Sequence, residues 1–149
     1  MTESPGEVDR CMVDTNILVY ATIDEAPKCE EARQWMQRLQ KDGVQLCATP
    51  QIYREYLVVL TRGSVFERRF SSDEALATLN DIRPAFRTLS PTGDTFEKCT
   101  SLLQRYGVRS KQVHDANIVA VMMTYGLKGL ATYNQSDFRR FDDVFLLDP

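Results

Sequence analysis

Short apolar runs along this chain give way to longer stretches in which apolar residues recur every three or four positions, the pattern of strands alternating with helices. Residues 9–14 (DRCMVD) read as a strand, and a short helix can follow from Asn16 through Ile17, Leu18, Val19 and Tyr20. Pro27 opens a helix over about 28–42, with Ala32, Trp35, Met36 and Leu39 on one side, and Gly43 stops it. Residues 44–48 (VQLCA) read as the second strand. Thr49 is a good N-cap, and Pro50 suits the first helical position, where its missing N–H costs nothing. That helix runs to about Thr61, and Gly63 ends it. Ser71 or Ser72 caps a helix over 73–82, and Arg87 to Leu89 reads as a third strand. Thr92 leads into a helix over 94–106 that stops at Gly107, and a helix over about 112–125 stops at Gly126. Leu130 to Thr132 and Val144 to Leu147 are the last two strands. About five strands with intervening helices predict an α/β fold, an open parallel sheet covered on both faces.

A length of 149 residues suits one domain, placed over 9–149 behind a flexible lead-in, 1–8 (MTESPGEV). Composition changes this picture little: 43% apolar residues suffice for a real core, and 26% charged is ordinary for a soluble globule. No window reaches the ~18 to 20 apolar residues needed to cross a bilayer, and the polar, acidic start carries no secretory pattern. Cys11, Cys29, Cys47 and Cys99 form no CxxC pair and, with the single His114, make a poor zinc set. Cys11 and Cys47 read as small core residues, and reduced thiols point to the cytoplasm.

Four acids then need explaining. Asp14 closes the run Cys11-Met12-Val13, Glu55 lies on the helix opened by Thr49, Asp115 opens an almost wholly apolar helix, and Asp137 follows a short strand. Ligands of open α/β sheets bind beyond the carboxyl ends of the strands, so these side chains can converge there within a few ångströms. Carboxylates gathered without basic partners repel one another unless a hard divalent cation neutralises them. Each also has a plainer reading. Asp14 can simply cap the next helix. Glu55 falls at the rim of the stripe Ile52, Tyr56, Val59 and Leu60 and can pair with Arg54 or Arg62. Asp115 can serve the helix dipole, and Asp137 can belong to a polar turn. Thr15 and Asn16 can hold Asp14 in position, while Thr132 and Asn134 can hydrogen-bond a phosphate oxygen or bound water. Arg139 and Arg140 can touch a phosphate backbone or stand solvated. His114 is given no catalytic role.

The net charge of −3 argues against a nucleic-acid partner at first sight. Setting the four acids aside leaves 17 acidic residues against 18 basic ones, so bound cations would remove the objection locally.

Taken in order, these segments resemble a family. The run Met12-Val13-Asp14-Thr15-Asn16-Ile17-Leu18-Val19-Tyr20-Ala21, Glu55 on its helix, His114-Asp115-Ala116-Asn117-Ile118-Val119-Ala120 and Thr132-Tyr133-Asn134-Gln135-Ser136-Asp137-Phe138 together are similar to the PIN domain. The closest likeness within it is to the VapC-type toxin ribonucleases of toxin–antitoxin pairs. The resemblance spans residues 9 to about 147. It implies a three-layer α/β/α sandwich, usually dimeric. It also implies that Asp14, Glu55, Asp115 and Asp137 are the acidic quartet holding Mg²⁺ or Mn²⁺. The implied activity is endonucleolytic hydrolysis of single-stranded or loop RNA, leaving 5′-phosphate and 3′-hydroxyl ends, with a small antitoxin protein as partner. Many relatives carry Asp where this chain has Asn134, which leaves Asp137 as the one acid of that loop.

Two other classes stay open. A non-catalytic PIN-like module would bind RNA or protein without cutting it. A phosphoaspartyl protein would use Asp14 as phosphoacceptor, but Asp14-Thr15-Asn16 lacks a DxD pattern, and Lys128 precedes its strand rather than ending it.

Overall fold

β1 (Arg10–Val13) is an apolar run too short to be a stable helix, and three of its four side chains are fully buried. Such a strand needs cover on both faces. A computed structural model, which describes residues 9–63 and 68–149, supplies that cover. The proposed lead-in, 1–8, lies outside the described residues. After β1 come α1 (Thr15–Thr22), α2 (Cys29–Lys41), β2 (Gln45–Ala48), α3 (Pro50–Arg62), α4 (Ser72–Ile82) and β3 (Phe86–Thr88). The second half contributes α5 (Thr95–Tyr106), α6 (Gln112–Thr124), β4 (Gly129–Ala131) and β5 (Phe145–Leu147).

All strands pair in parallel, in the order β3-β2-β1-β4-β5. Met12 of β1 stands beside Cys47 of β2 on one side and Leu130 of β4 on the other. The chain therefore winds outward from β1 through β2 to β3, then returns to the other side of β1. Right-handed crossovers place the helices of these two excursions on opposite faces. The packing agrees: α1 lies against α2 and α3, α3 against α4, and α5 against α6. The result is a three-layer α/β/α sandwich with five parallel strands.

Local chemistry explains most of the boundaries. Thr49 accepts a hydrogen bond from the Ile52 amide at 3.1 Å, with Pro50 opening α3. Ser71, not Ser72, caps α4, and Glu74 returns the bond in a capping box. Gly107 ends α5 in the left-handed conformation (φ 64°), which a Cβ would disfavour. The strand ends differ from expectation by one residue: β3 begins at Phe86 and β4 at Gly129, because pairing with the neighbouring strand sets where a ladder starts. α2 starts at Cys29, two residues after Pro27.

The core joins both helical layers to the sheet. Tyr56, Ile52 and Leu60 of α3 are at most 1% exposed, and the Tyr56 hydroxyl shares a 2.7 Å hydrogen bond with Thr22. Burying such side chains stabilises the fold by ~1.5 to 3 kcal/mol each. α6 buries Ala116, Ile118, Val119, Ala120, Val121 and Met122, as a helix apolar on all sides must. All four cysteines are buried and free. Among the described residues no helix is long and apolar enough to cross a membrane.

Candidate active site

The central strand is where the winding direction reverses, so the sheet parts beyond the carboxyl end of β1 and leaves a crevice there. Asp14 is the first residue past that end. Its amide donates to the Ala131 carbonyl at 2.9 Å, continuing the β1–β4 ladder by one rung. Its carboxylate is 7% exposed. Oδ1 accepts from the Thr15 amide at 2.8 Å, and Oδ2 accepts from Thr132 Oγ1 at 2.8 Å and Asn16 Nδ2 at 3.2 Å. The capping reading and the site reading are therefore compatible, since Asp14 is the N-cap of α1 and also lines the crevice.

A cavity of about 470 Å³ occupies the crevice. Asp14, Glu55, Asp115 and Asp137 all line it, from four separate elements. Glu55, five residues into α3, is pinned from two sides. Oε2 accepts from Thr15 Oγ1 at 3.1 Å, and Oε1 accepts from Gln51 Nε2 at 2.9 Å. It makes no ion pair with Arg54 or Arg62, although Arg62 lines the same cavity. Asp115 sits in the first turn of α6, and Asp137 ends a short 3₁₀ turn, Gln135–Asp137. Val19, Val58 and Val59 form an apolar wall.

Electrostatics record the crowding. Burial pushes the Asp14 carboxyl up to about 6, and the charges of Glu55 and Asp137 add to this, against the hydrogen bonds from Thr132 and Thr15. Asp115 is pushed up to about 7, first by burial and then by Asp137, Asp14 and Glu55, with Arg140 as the opposing cation. Carboxyls that raise one another in this way are in excess of their counter-charges.

The donor set is all oxygen, which suits a hard cation such as Mg²⁺ or Mn²⁺. The spacing is looser than the sequence suggested. Among the described residues no three His, Cys, Asp or Glu side chains already stand as a metal-binding group. Mutual repulsion is the physical reason that carboxylates sharing a cavity stand off from one another. The residues fit a divalent cation in chemistry and charge, while a close ligand shell is not preformed.

The supporting residues divide. Thr15 and Asn16 brace the acids as expected. Thr132 does not face a ligand. It is fully buried, donates to Asp14 and accepts from the Asn134 amide at 3.0 Å, so it works beneath the site. Asn134 is exposed and lines the cavity. Arg140 acts on Asp115, and Arg139 lies outside the acid cavity, in two neighbouring ones.

Two residues escaped the sequence reading. Gln51 Nε2 also donates to the His114 carbonyl at 2.9 Å, and Gln51 Oε1 accepts from Asn117 Nδ2 at 2.7 Å. The Gln51 amide thereby ties α3 to α6 and orients Glu55. A signal existed: Asn117 is a polar residue inside the apolar run after Asp115, and Gln51 precedes Glu55 by one helical turn.

Comparison with known proteins agrees with this architecture. The family model described as PIN domain matches residues 11–144. No curated protein matches the sequence. Among solved structures, the chain is similar to VapBC2 from Rickettsia felis bound to a DNA fragment of its promoter. The TM-score is 0.72 at 16% identity, covering 94% of this chain and 98% of that one. It is also similar to VapC20 of Mycobacterium tuberculosis, a sarcin–ricin loop cleaving toxin, with a TM-score of 0.64 at 18% identity, covering 90% and 98%. VapBC-1 of nontypeable Haemophilus influenzae gives a TM-score of 0.66 at 18% identity, covering 93% and 97%.

Proposed function

This chain belongs to the PIN domain family, and from that premise we propose that it is a metal-dependent endoribonuclease, the toxin of a toxin–antitoxin pair. The observation that carries the reading is the cavity lined by Asp14, Glu55, Asp115 and Asp137, none of them in an ion pair among the described residues. These four would hold Mg²⁺ or Mn²⁺. A divalent cation bound there would neutralise the carboxylates, polarise the phosphodiester and make water the competent nucleophile.

The chain's own groups do the rest. Thr15, Asn16 and Thr132 fix the direction of the Asp14 oxygens, and Thr15 with Gln51 fixes Glu55. Val19, Val58 and Val59 limit water on one side, which strengthens every charge interaction inside. Arg62 and Asn134 on the lining can meet phosphate oxygens. The proposed products carry 5′-phosphate and 3′-hydroxyl ends.

The substrate class, RNA, is supported by the fold likeness to VapC20, itself a toxin that cleaves the sarcin–ricin loop. A small antitoxin partner is supported by the fold likeness to the VapBC structures. A homodimer and a cytoplasmic setting complete the proposal, the latter supported by four buried free thiols.

One observation favours the non-catalytic module: the acids do not yet stand as a ligand group. Geometry disfavours a phosphoaspartyl protein. Lys128 precedes β4, at the end of the parallel sheet away from Asp14.

The test is cleavage of a single-stranded RNA in Mg²⁺ by the wild type and by Asp115→Asn. Loss of one carboxylate should slow cleavage at least ~100-fold with a native melting curve. Full activity of the variant would refute the assignment. A wild type that binds RNA but never cuts it, in Mg²⁺ or Mn²⁺, would establish the module.

A further inference from the structure

A second cavity, of about 350 Å³, adjoins the acid site, and Asn134 lines both. Its chemistry is the reverse of its neighbour's. Lys28 and Arg139 line it with Gln135 and Ser136, against a single carboxylate, Asp148. The Lys28 ammonium lies 4.2 Å from the centre of the Tyr133 ring. That ring meets Tyr20, itself on the lining of the acid cavity, edge-on at 5.3 Å, and its hydroxyl donates to Glu31 at 3.1 Å. Tyr133 is thus held in place, and it holds Lys28 in turn. A cation already ordered on an aromatic face loses little further freedom on meeting an anion. Among the described residues Arg139 makes no ion pair, so its guanidinium is available to a phosphate.

We infer that this cavity is a subsite for single-stranded RNA, in which Lys28 and Arg139 take a backbone phosphate one step along the strand from the bond lying in the acid cavity. The inference rests on the RNA-cleaving reading and deepens it. The acid cavity repels a polyanion, so holding power must come from beside it. The shared Asn134 makes the two cavities continuous, as one strand requires. Gln135 and Ser136 add neutral donors for phosphate or sugar oxygens.

The test measures binding of a fluorescent single-stranded RNA in EDTA by fluorescence anisotropy, across a series of salt concentrations, together with cleavage in Mg²⁺. The proteins are the full chain, Lys28→Ala with Arg139→Ala, and a charge-matched control, Arg38→Ala with Lys41→Ala. The control pair is exposed in the last turn of α2, about 20 Å along that helix from Lys28. The subsite pair should weaken binding about tenfold and flatten the log–log salt dependence by about 1.4, or 0.7 for each lost phosphate contact. KM should rise more than kcat falls. Equal weakening by both pairs overturns the inference, because charge alone would then account for it. Unchanged RNA affinity in the subsite pair, with wild-type cleavage intact, overturns it and leaves the nuclease reading standing. RNA binding lost as predicted, with no cleavage even by the wild type, supports the subsite and ends the nuclease reading. Loss of affinity for a glutamate-rich peptide but not for RNA assigns the cavity to a protein partner and overturns the inference. Should the alanine pair unfold, Lys28→Gln with Arg139→Gln carries the same comparison.

Discussion

The two pairs of acids in the crevice are supported in opposite ways. Asp14 accepts three hydrogen bonds and Glu55 two, all from side chains or amides of neighbouring elements. Asp115 and Asp137 accept none among the described residues and stand on a helix start and a 3₁₀ turn. One wall is therefore pre-positioned by folding. The other is left electrostatically uncompensated, and Asp115 carries the higher pKa, about 7 against about 6 for Asp14. Such a division suits a site whose positions are set by the protein and whose charge is completed by a ligand.

The largest effect should come from supplying that charge. A saturating Mn²⁺ titration at 100 times Kd should stabilise the wild type by ~2.7 kcal/mol, read as a rise in Tm. Asp115→Asn should abolish most of that rise. A wild type whose Tm does not move at millimolar Mn²⁺ removes the functional meaning of the contrast.

Next is the braced wall. Gln51→Ala removes the link between α3 and α6 and frees Glu55. Left-over buried groups cost ~1 to 3 kcal/mol, and each kcal/mol lowers Tm by about 2 to 4 °C at this size. Activity should fall with it. An unchanged Tm would show that the bracing is incidental.

Smallest, and of opposite sign, is the unbraced wall without metal. The folded Asp115 carboxyl titrates near 7, above its unfolded value, so the folded state binds the extra proton. Its contribution to stability is fully present below about pH 4 and is lost as pH rises through 7. Metal-free protein should melt higher at pH 5 than at pH 8. Asp115→Asn should remove part of that slope and stabilise the protein at pH 8 by about 1 kcal/mol, allowing for solvent screening. Melting curves in EDTA across this pH range decide the matter, and a destabilised variant at pH 8 would contradict it.

Much of this molecule follows from short-range pattern. Thr49 before Pro50 marks the start of α3, and glycines at 43, 63, 107 and 126 all adopt positive φ at helix ends. Both are decided within a turn of chain. The run Cys11-Met12-Val13 before Asp14 announces a buried strand ending in a carboxylate for the same reason. Thr132 and Gln51 were less legible. Whether Thr132 points to a ligand or down onto Asp14 depends on a partner 118 residues away. The partners of Gln51 on α6 are 63 and 66 residues distant.

By itself the sequence determined the kind and order of the elements, the acids at their ends and the need for cover on both faces. Periodicity, capping and turn chemistry act between near neighbours, so they can be read along the line. Only the tertiary structure decided that β1 lies between β2 and β4, which opens the crevice at Asp14. It alone also decided which polar side chains turn inward as braces and that Lys28 and Tyr133 meet beside the acids. Those outcomes depend on strand order and helix packing, which join residues that no local pattern relates.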